Sequence, residues 1–173
     1  MTARPTTPIC ARFDSELMAS DSTSVCTIEA MDYLDLLRDV ENRLDDDGLN
    51  QLNEALVGLE KLYGLRYTDI SREQVVAEVD IDDRLRQYVG VVNGGVMAGV
   101  AESVAGVAGL LAAGQHVVGV NNSTDLIRPA KEGVLRAVAK PIHTGRSTQL
   151  FDVEITNSAT LVARSTMRNM VLN

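Results

Sequence analysis

One carboxylate, Glu102, stands alone in residues 93–114, NGGVMAGVAESVAGVAGLLAAG, a run otherwise made of small, apolar and uncharged residues. A carboxylate in apolar surroundings is costly unless it is paired or used. Its use could be to take a proton from water, or to attack a carbon itself. The same run opens on Asn93, Gly94 and Gly95. If the run is a helix, that glycine pair leaves free backbone N–H groups at the positive end of the macrodipole. Donors so placed polarise a carbonyl and stabilise an oxyanion. A plain ion pair between Glu102 and an arginine is the alternative that these residue types leave open.

Other side chains offer less. Ser103 follows Glu102, but a chain with two histidines and no nucleophile-elbow sequence does not read as a serine triad. His116 precedes a strand pattern and reads as a surface residue. His143 lies in the turn HTGRS, where it could touch a phosphate. The stretch GVNNSTD reads as a polar sheet edge, and Asp125 has no cluster of ligands around it. Cys10 and Cys26 have no metal-ligand neighbours either, so they read as incidental thiols and no metal site is expected.

Composition narrows the function classes. The chain has 173 residues, 45% of them hydrophobic and 23% charged, which suits one ordinary globular domain with an appendage. Aromatic residues are scarce, which argues against a base-stacking nucleic-acid module. The net charge of −8 is uneven: residues 1–60 hold 13 acids and 4 bases, whereas residues from 126 onward hold 7 bases and 3 acids. The whole chain would repel DNA, while its basic C-terminal part could hold a small polyanion. Residues 94–113 come nearest to a membrane span, but the glycines, Glu102 and the β pattern that follows count against one. The N-terminal twenty residues lack a continuous apolar segment, so a cytoplasmic protein is expected.

The elements that must position Glu102 follow from periodicity. Residues 1–26 are rich in Ser, Thr and Pro and read as poorly ordered. Residues 28–46 place Met31, Leu34, Leu37 and Leu44 near helical spacing, and a second helical run starts at Leu49. SREQVVAEVDID alternates as a strand with Val75, Ala77 and Val79 on one face. The stretch 94–113 is helical, and strands are expected at 116–127, 133–142, 148–157 and 160–171. One strand, a long apolar helix and four strands joined by short turns imply an α+β fold, an antiparallel sheet wrapped around a helix. The glycines within that helix each cost about 1 kcal/mol of propensity, tolerable if the helix is buried and strands approach it closely.

Gln87, the NGG start, Glu102, VVGVNNSTDLIRPAKEG and AKPIHTGRSTQLFDVEI, in that order, resemble the hotdog-fold acyl-CoA thioesterases. The type is PaaI-like, or 4-hydroxybenzoyl-CoA thioesterase, and the subgroup acts on hydroxybenzoyl- and dihydroxynaphthoyl-CoA. The resemblance runs from about residue 49 to 173, so the chain divides into an N-terminal arm (1–45) and a hotdog domain (46–173). It implies Glu102 as the catalytic carboxylate, nucleophile or base for water, and Gly94 as the N–H that binds the thioester oxygen. It implies that Gln87 helps to position the carbonyl or water. The surface for coenzyme A, part of the substrate and not a cofactor, would include Gly119, Arg128, Pro129, Lys131, His143, Gly145, Arg146 and Ser147, with Lys140 nearby.

Two positions depart from that pattern. Asn93 stands where the family has His; it can donate a hydrogen bond but cannot exchange a proton near neutral pH. Gly106 stands where relatives often carry Ser or Thr, one turn past the acid; the missing hydroxyl implies either slower catalysis or a deeper acyl pocket. A non-catalytic acyl-CoA-binding protein is the alternative these departures support, whereas a hotdog dehydratase lacks its His. Gly94 and Glu102 are eight residues apart, roughly 12 Å along one helix, too far to meet on one thioester carbon. A homodimer is therefore expected, with Gly94 from one subunit and Glu102 from its mate, and the resemblance implies pairs of dimers.

Overall fold

The structure is a computed structural model that describes residues 33–38 and 40–172. Cys10, Cys26 and residues 1–32 of the expected arm lie outside the described residues. A short helix α1 (Tyr33–Leu37) leads to α2 (Asp46–Glu54), α3 (Gly58–Tyr63) and strands β1 (Arg66–Ile70) and β2 (Val75–Asp80). The long helix α4 (Gly94–Ala113) follows, then β3 (Val117–Leu126), β4 (Val134–Thr144), β5 (Thr148–Asn157) and β6 (Thr160–Val171).

The strands form one antiparallel sheet in the order β1-β2-β4-β5-β6-β3. Helix α4 packs against β2, β3, β4, β5 and β6, so the sheet encloses it as the hotdog resemblance implies. Its buried side carries Val96, Met97, Val100, Ala101, Val104, Ala105, Val107, Ala108 and Leu111. By length and composition alone α4 could cross a membrane, but this apolar side is spent on the sheet. Two buried amides bind the helix to the strands: Gln149 Nε2 donates to Gly109 O (3.1 Å) and Asn169 Nδ2 to Ala105 O (3.0 Å). A Cβ at Gly109 would sit 2.6 Å from Asn169 Nδ2 and 2.7 Å from Gln149 Oε1. The missing side chain, which costs that glycine helix propensity, is what lets the sheet close in.

Two expectations need correction, and one strand was not expected at all. The helix read over 28–46 is, among the described residues, only the five residues of α1. Beyond it the chain turns extended, with Leu44 N donating to Ile70 O (2.9 Å) and Arg43 bridging to Ser71. Leu37, Val40 and Leu44 still join the core. The helical run from Leu49 is two helices, and Val57, Leu59 and Leu62 on or before the second are exposed. Strand β1 had no expectation; it pairs with β2 through an irregular register between Tyr67 and Asp69.

Candidate active site

The start of α4 is held by the loop that precedes it. Asn93 N donates to Leu85 O and Val92 N to Ala130 O, both at 2.8 Å. Gln87 N donates to Val91 O and Gly90 N to Gln87 O, also at 2.8 Å, so Gln87 heads a tight turn. The Asn93 side chain caps the helix, its Oδ1 accepting from Gly95 N at 2.8 Å. Among the described residues no group accepts from Gly94 N. Gly94 lines a cleft of about 210 Å³ with Gln87, Met97, Leu126, Arg128 and Pro129. The structure therefore brings together four of the residues singled out from sequence: Gln87, Gly94, Arg128 and Pro129. Arg128 also reaches across the sheet end, its Nη1 donating to Leu161 O at 3.0 Å. Lys131 is exposed, and its carbonyl accepts from Arg86 Nε at 3.0 Å.

Glu102 is elsewhere. It lies beside β3, where a Cβ at Gly119 would be 3.3 Å from Glu102 Oε1. Among the described residues no basic side chain pairs with it, so the structural ion pair left open by residue type is not formed. The expectation of a buried carboxylate is corrected: within one chain Glu102 is exposed. The reason is its face. Gly95, Glu102 and Gly106 are on the side of α4 turned away from the core, and Glu102 there lies beside β3, the last strand of the sheet. A Cβ at Gly106 would meet nothing within 4 Å, so the missing hydroxyl leaves open space one turn past the acid.

The remaining expected residues occupy the opposite end of the sheet from the Gly94 cleft. His143, expected in a turn, is on the last part of β4, paired with Leu150, because the strand runs on to Thr144 past an irregular register. Gly145, Arg146 and Ser147 are in the β4–β5 turn, where Gly145 N donates to Thr148 O and Val171 N to Ser147 O. Val171 pairs with Val117 at the start of β3, whereas Leu126 at its end touches Gly94. Ten residues of strand, about 30 Å, separate the two groups within one chain.

Sequence reasoning missed a polar cluster between β3, β6 and α4. Asn122 Nδ2 donates to Ala98 O at 2.9 Å. Its Oδ1 accepts from Thr124 Oγ1 (2.6 Å) and Ser165 Oγ (2.9 Å), and the two hydroxyls are 2.9 Å apart. The available signal was GVNNSTD itself, too polar for a strand that only packs. A second cleft, also about 210 Å³, lies near the other end of α4 between Ser71, Arg72, Leu111, Pro141 and Phe151, and no carboxylate lines it.

Residues 89–163 match the family model described as Thioesterase superfamily. The chain is 38% identical over 111 residues to a Mycobacterium tuberculosis (H37Rv) protein provisionally named an esterase, covering 61% of this chain and 79% of that one. The solved structure of that protein superposes with a TM-score of 0.65 at 37% identity, over 68% of this chain and 98% of the other. The 1,4-dihydroxy-2-naphthoyl-CoA hydrolase of Escherichia coli K12 is 34% identical over 112 residues, 63% of this chain and 80% of its own. A thioesterase structure from Haemophilus influenzae gives a TM-score of 0.67 at 28% identity, covering 72% and 90% of the two chains. With its helix-borne carboxylate, glycine-opened helix start and enclosing sheet, the chain belongs to the thioesterase superfamily and is a thioester hydrolase.

Proposed function

We propose that the protein hydrolyses an acyl-CoA thioester to free acid and coenzyme A in a homodimer. Each site would take Glu102 from one copy and the Gly94 cleft from the other. The observation that carries this reading is the exposure of an unpaired Glu102 beside an open sheet edge. Strand β3 is that edge; Val120 is 51% exposed and Leu126 59%. A long uncovered edge with apolar side chains is a template for pairing with another strand. Glu102 lies beside Gly119 near the start of β3, and Gly94 beside Leu126 at its end. Antiparallel pairing of two β3 edges about Asn122 and Ser123 sets Gly119 of one copy opposite Leu126 of the other. That exchange moves the cleft of a second copy toward Glu102. It also brings Arg128 and Lys131 of one copy toward His143 on β4 and the turn after it, with Arg146, in the other, a combined cationic surface for the phosphates of coenzyme A.

In the reaction, the thioester oxygen accepts from Gly94 N at the positive end of α4, which favours charge on that oxygen. As base, Glu102 takes a proton from the attacking water; the C–S bond breaks and the thiolate leaves as coenzyme A. As nucleophile, it forms an acyl-carboxylate anhydride with loss of the thiolate, and water then cleaves the anhydride. Neither route needs a cofactor. Gln87 orients the carbonyl or the water from the rim of the cleft, and Asn93 acts as the cap of the helix. Val91, Met97, Leu126 and Ile127 give an apolar lining suited to an aromatic acyl group, which is the class named for the Escherichia coli relative.

Release of coenzyme A from aryl, short-chain and long-chain acyl-CoAs, read with a thiol reagent, tests both levels. Aryl substrates are expected to have the largest kcat/KM. With the best of them, Glu102→Gln is expected to lower kcat by roughly a hundredfold or more, with binding affinity nearly kept. Unchanged turnover in this variant would remove Glu102 from the reaction.

A further inference from the structure

The polar cluster beside α4 has a geometry that ordinary strand packing does not require. Strand β3 carries a bulge: Gly119 pairs with Asn169 and Asn121 with Arg168, so Val120 is the extra residue. Strand residues three apart normally point to opposite faces. Here the extra residue rephases the strand. Gly119, Asn122 and Thr124 are paired with Asn169, Met167 and Ser165, all three of which are buried. The bulge thus turns both the glycine against Glu102 and the amide against Ala98 toward the helix.

The amide has one usable orientation. Ala98 O can only accept, so the amide nitrogen must face it, which leaves the oxygen to accept from the two hydroxyls. That carbonyl, Ala98 O, is the acceptor four residues before Glu102, the one to which the Glu102 N–H belongs in an α-helix. Asn122 therefore fastens the helical turn from which Glu102 projects. Among the described residues nothing bonds the Glu102 side chain itself, so its backbone is the place where its position can be fixed.

We propose that Asn122, oriented by Thr124 and Ser165, is the positioning residue for Glu102. This rests on the proposed role of Glu102. The consequence is catalytic and not one of substrate binding: a loosened turn misplaces the carboxylate relative to the thioester while the cleft is unchanged.

Asn122→Leu and Asn122→Asp, each made in the parent and in the Glu102→Gln background, test it with the best acyl-CoA of the screen above. Asn122→Leu keeps the size and loses the hydrogen bonds; kcat is expected to fall roughly ten- to a hundredfold, because a 1 Å misplacement has effects of that order. KM stays within about twofold of the parent, since no group in the cleft is altered. Asn122→Asp lacks the donor when ionised and regains it when protonated. Its kcat relative to the parent at the same pH should rise several-fold between pH 8 and pH 5. In the Glu102→Gln background Asn122→Leu should add no further loss, as expected of two residues acting through one group. An unchanged kcat, a change confined to KM, or the same fractional loss in both backgrounds overturns the proposal. If Asn122→Leu does not fold, the pH dependence of Asn122→Asp decides alone, and a flat ratio is a refutation. A Glu102→Gln variant that turns over like the parent would sink the proposed function first, and is seen before any Asn122 variant is compared.

Discussion

Glu102 and Gly119 set the tolerance of the site at the scale of single residues. At 3.3 Å from Glu102 Oε1, a methyl group at residue 119 is closer than ordinary contact allows, so the carboxylate must shift by a few tenths of an ångström. The side chain is exposed and flexible, hence the shift has little effect on folding. Gly119→Ala is expected to lower kcat by about tenfold, on the scale at which small misplacements act, while its thermal unfolding midpoint matches that of the parent. Steady-state kinetics beside a melting curve checks both halves. Asn93 shows a different economy, since the oxygen that could face a substrate is already committed to Gly95 N. The cap and the oxyanion donor are thus adjacent parts of one device: the first fixes the helix end and the second uses it.

Helix α3 and strand β1 are joined to α4, at the scale of elements, by a half-buried cluster around the buried Tyr67. Glu60 accepts from Tyr33 Oη (3.0 Å) and Tyr67 Oη (2.9 Å), and Tyr67 Oη also lies 3.2 Å from Ser103 O, next to Glu102. Burial, then the Glu60 carboxylate, pushes the Tyr67 hydroxyl well above the usual phenol range, and the same causes raise Tyr33. A folded-state pKa above the unfolded one contributes stability that is whole below the unfolded value and fades as pH rises past it. The cluster should therefore hold at neutral pH and weaken above about pH 10, the ordinary tyrosine value. Tyr67→Phe removes these bonds and leaves Glu60 with one fewer donor. A loss of about 1–3 kcal/mol in urea unfolding at pH 7 is expected. The difference from the parent should shrink as pH climbs past about 10. A constant difference across that range would mean that the hydroxyl is not the titrating group.

At the scale of the whole molecule, the separation of Gly94 from Glu102 makes a prediction that a self-sufficient single-chain site cannot meet. Glu102→Gln and Gly94→Ala chains should each be inactive alone. The second is inactive because a methyl at residue 94 drives into Leu126. Unfolded and refolded together in equal amounts, they form mixed dimers in which one of the two sites is intact. Activity should return to about a quarter of the parental value per chain if pairing is random and isologous. No recovery, with mixed dimers demonstrated by mass spectrometry, would place both groups of one site in the same chain. Sedimentation of the parent is expected to show dimers or pairs of dimers, as the exposed β3 edge requires a cover.

Local pattern in the sequence determined most of the scaffold. The strands expected at 116–127, 133–142, 148–157 and 160–171 are β3 to β6 to within two residues, because alternation and turn residues are short-range signals. Helix α4 has the bounds expected of it, since a glycine pair opens it and Gly114 ends it. Glu102 and the NGG start were legible for the same reason: each is a conspicuous residue type in a plain run. Short-range signals failed where distant partners decide. Leu34, Leu37 and Leu44 are spaced for one helix, yet Ile70 O and Ser71 draw the later part into an extended bridge. The apolar spacing from Leu49 crosses a helix break, and β1 is a short edge strand with little alternation to read. The exposure of Glu102, the rephasing of β3 by Val120 and the distance between the two cationic groups are also matters of tertiary structure. Each depends on which strand ends the sheet and how it is registered against its neighbour, and hydrogen bonding between residues some fifty positions apart sets that. Residue types named the chemistry, and only the folded sheet decided which groups can meet.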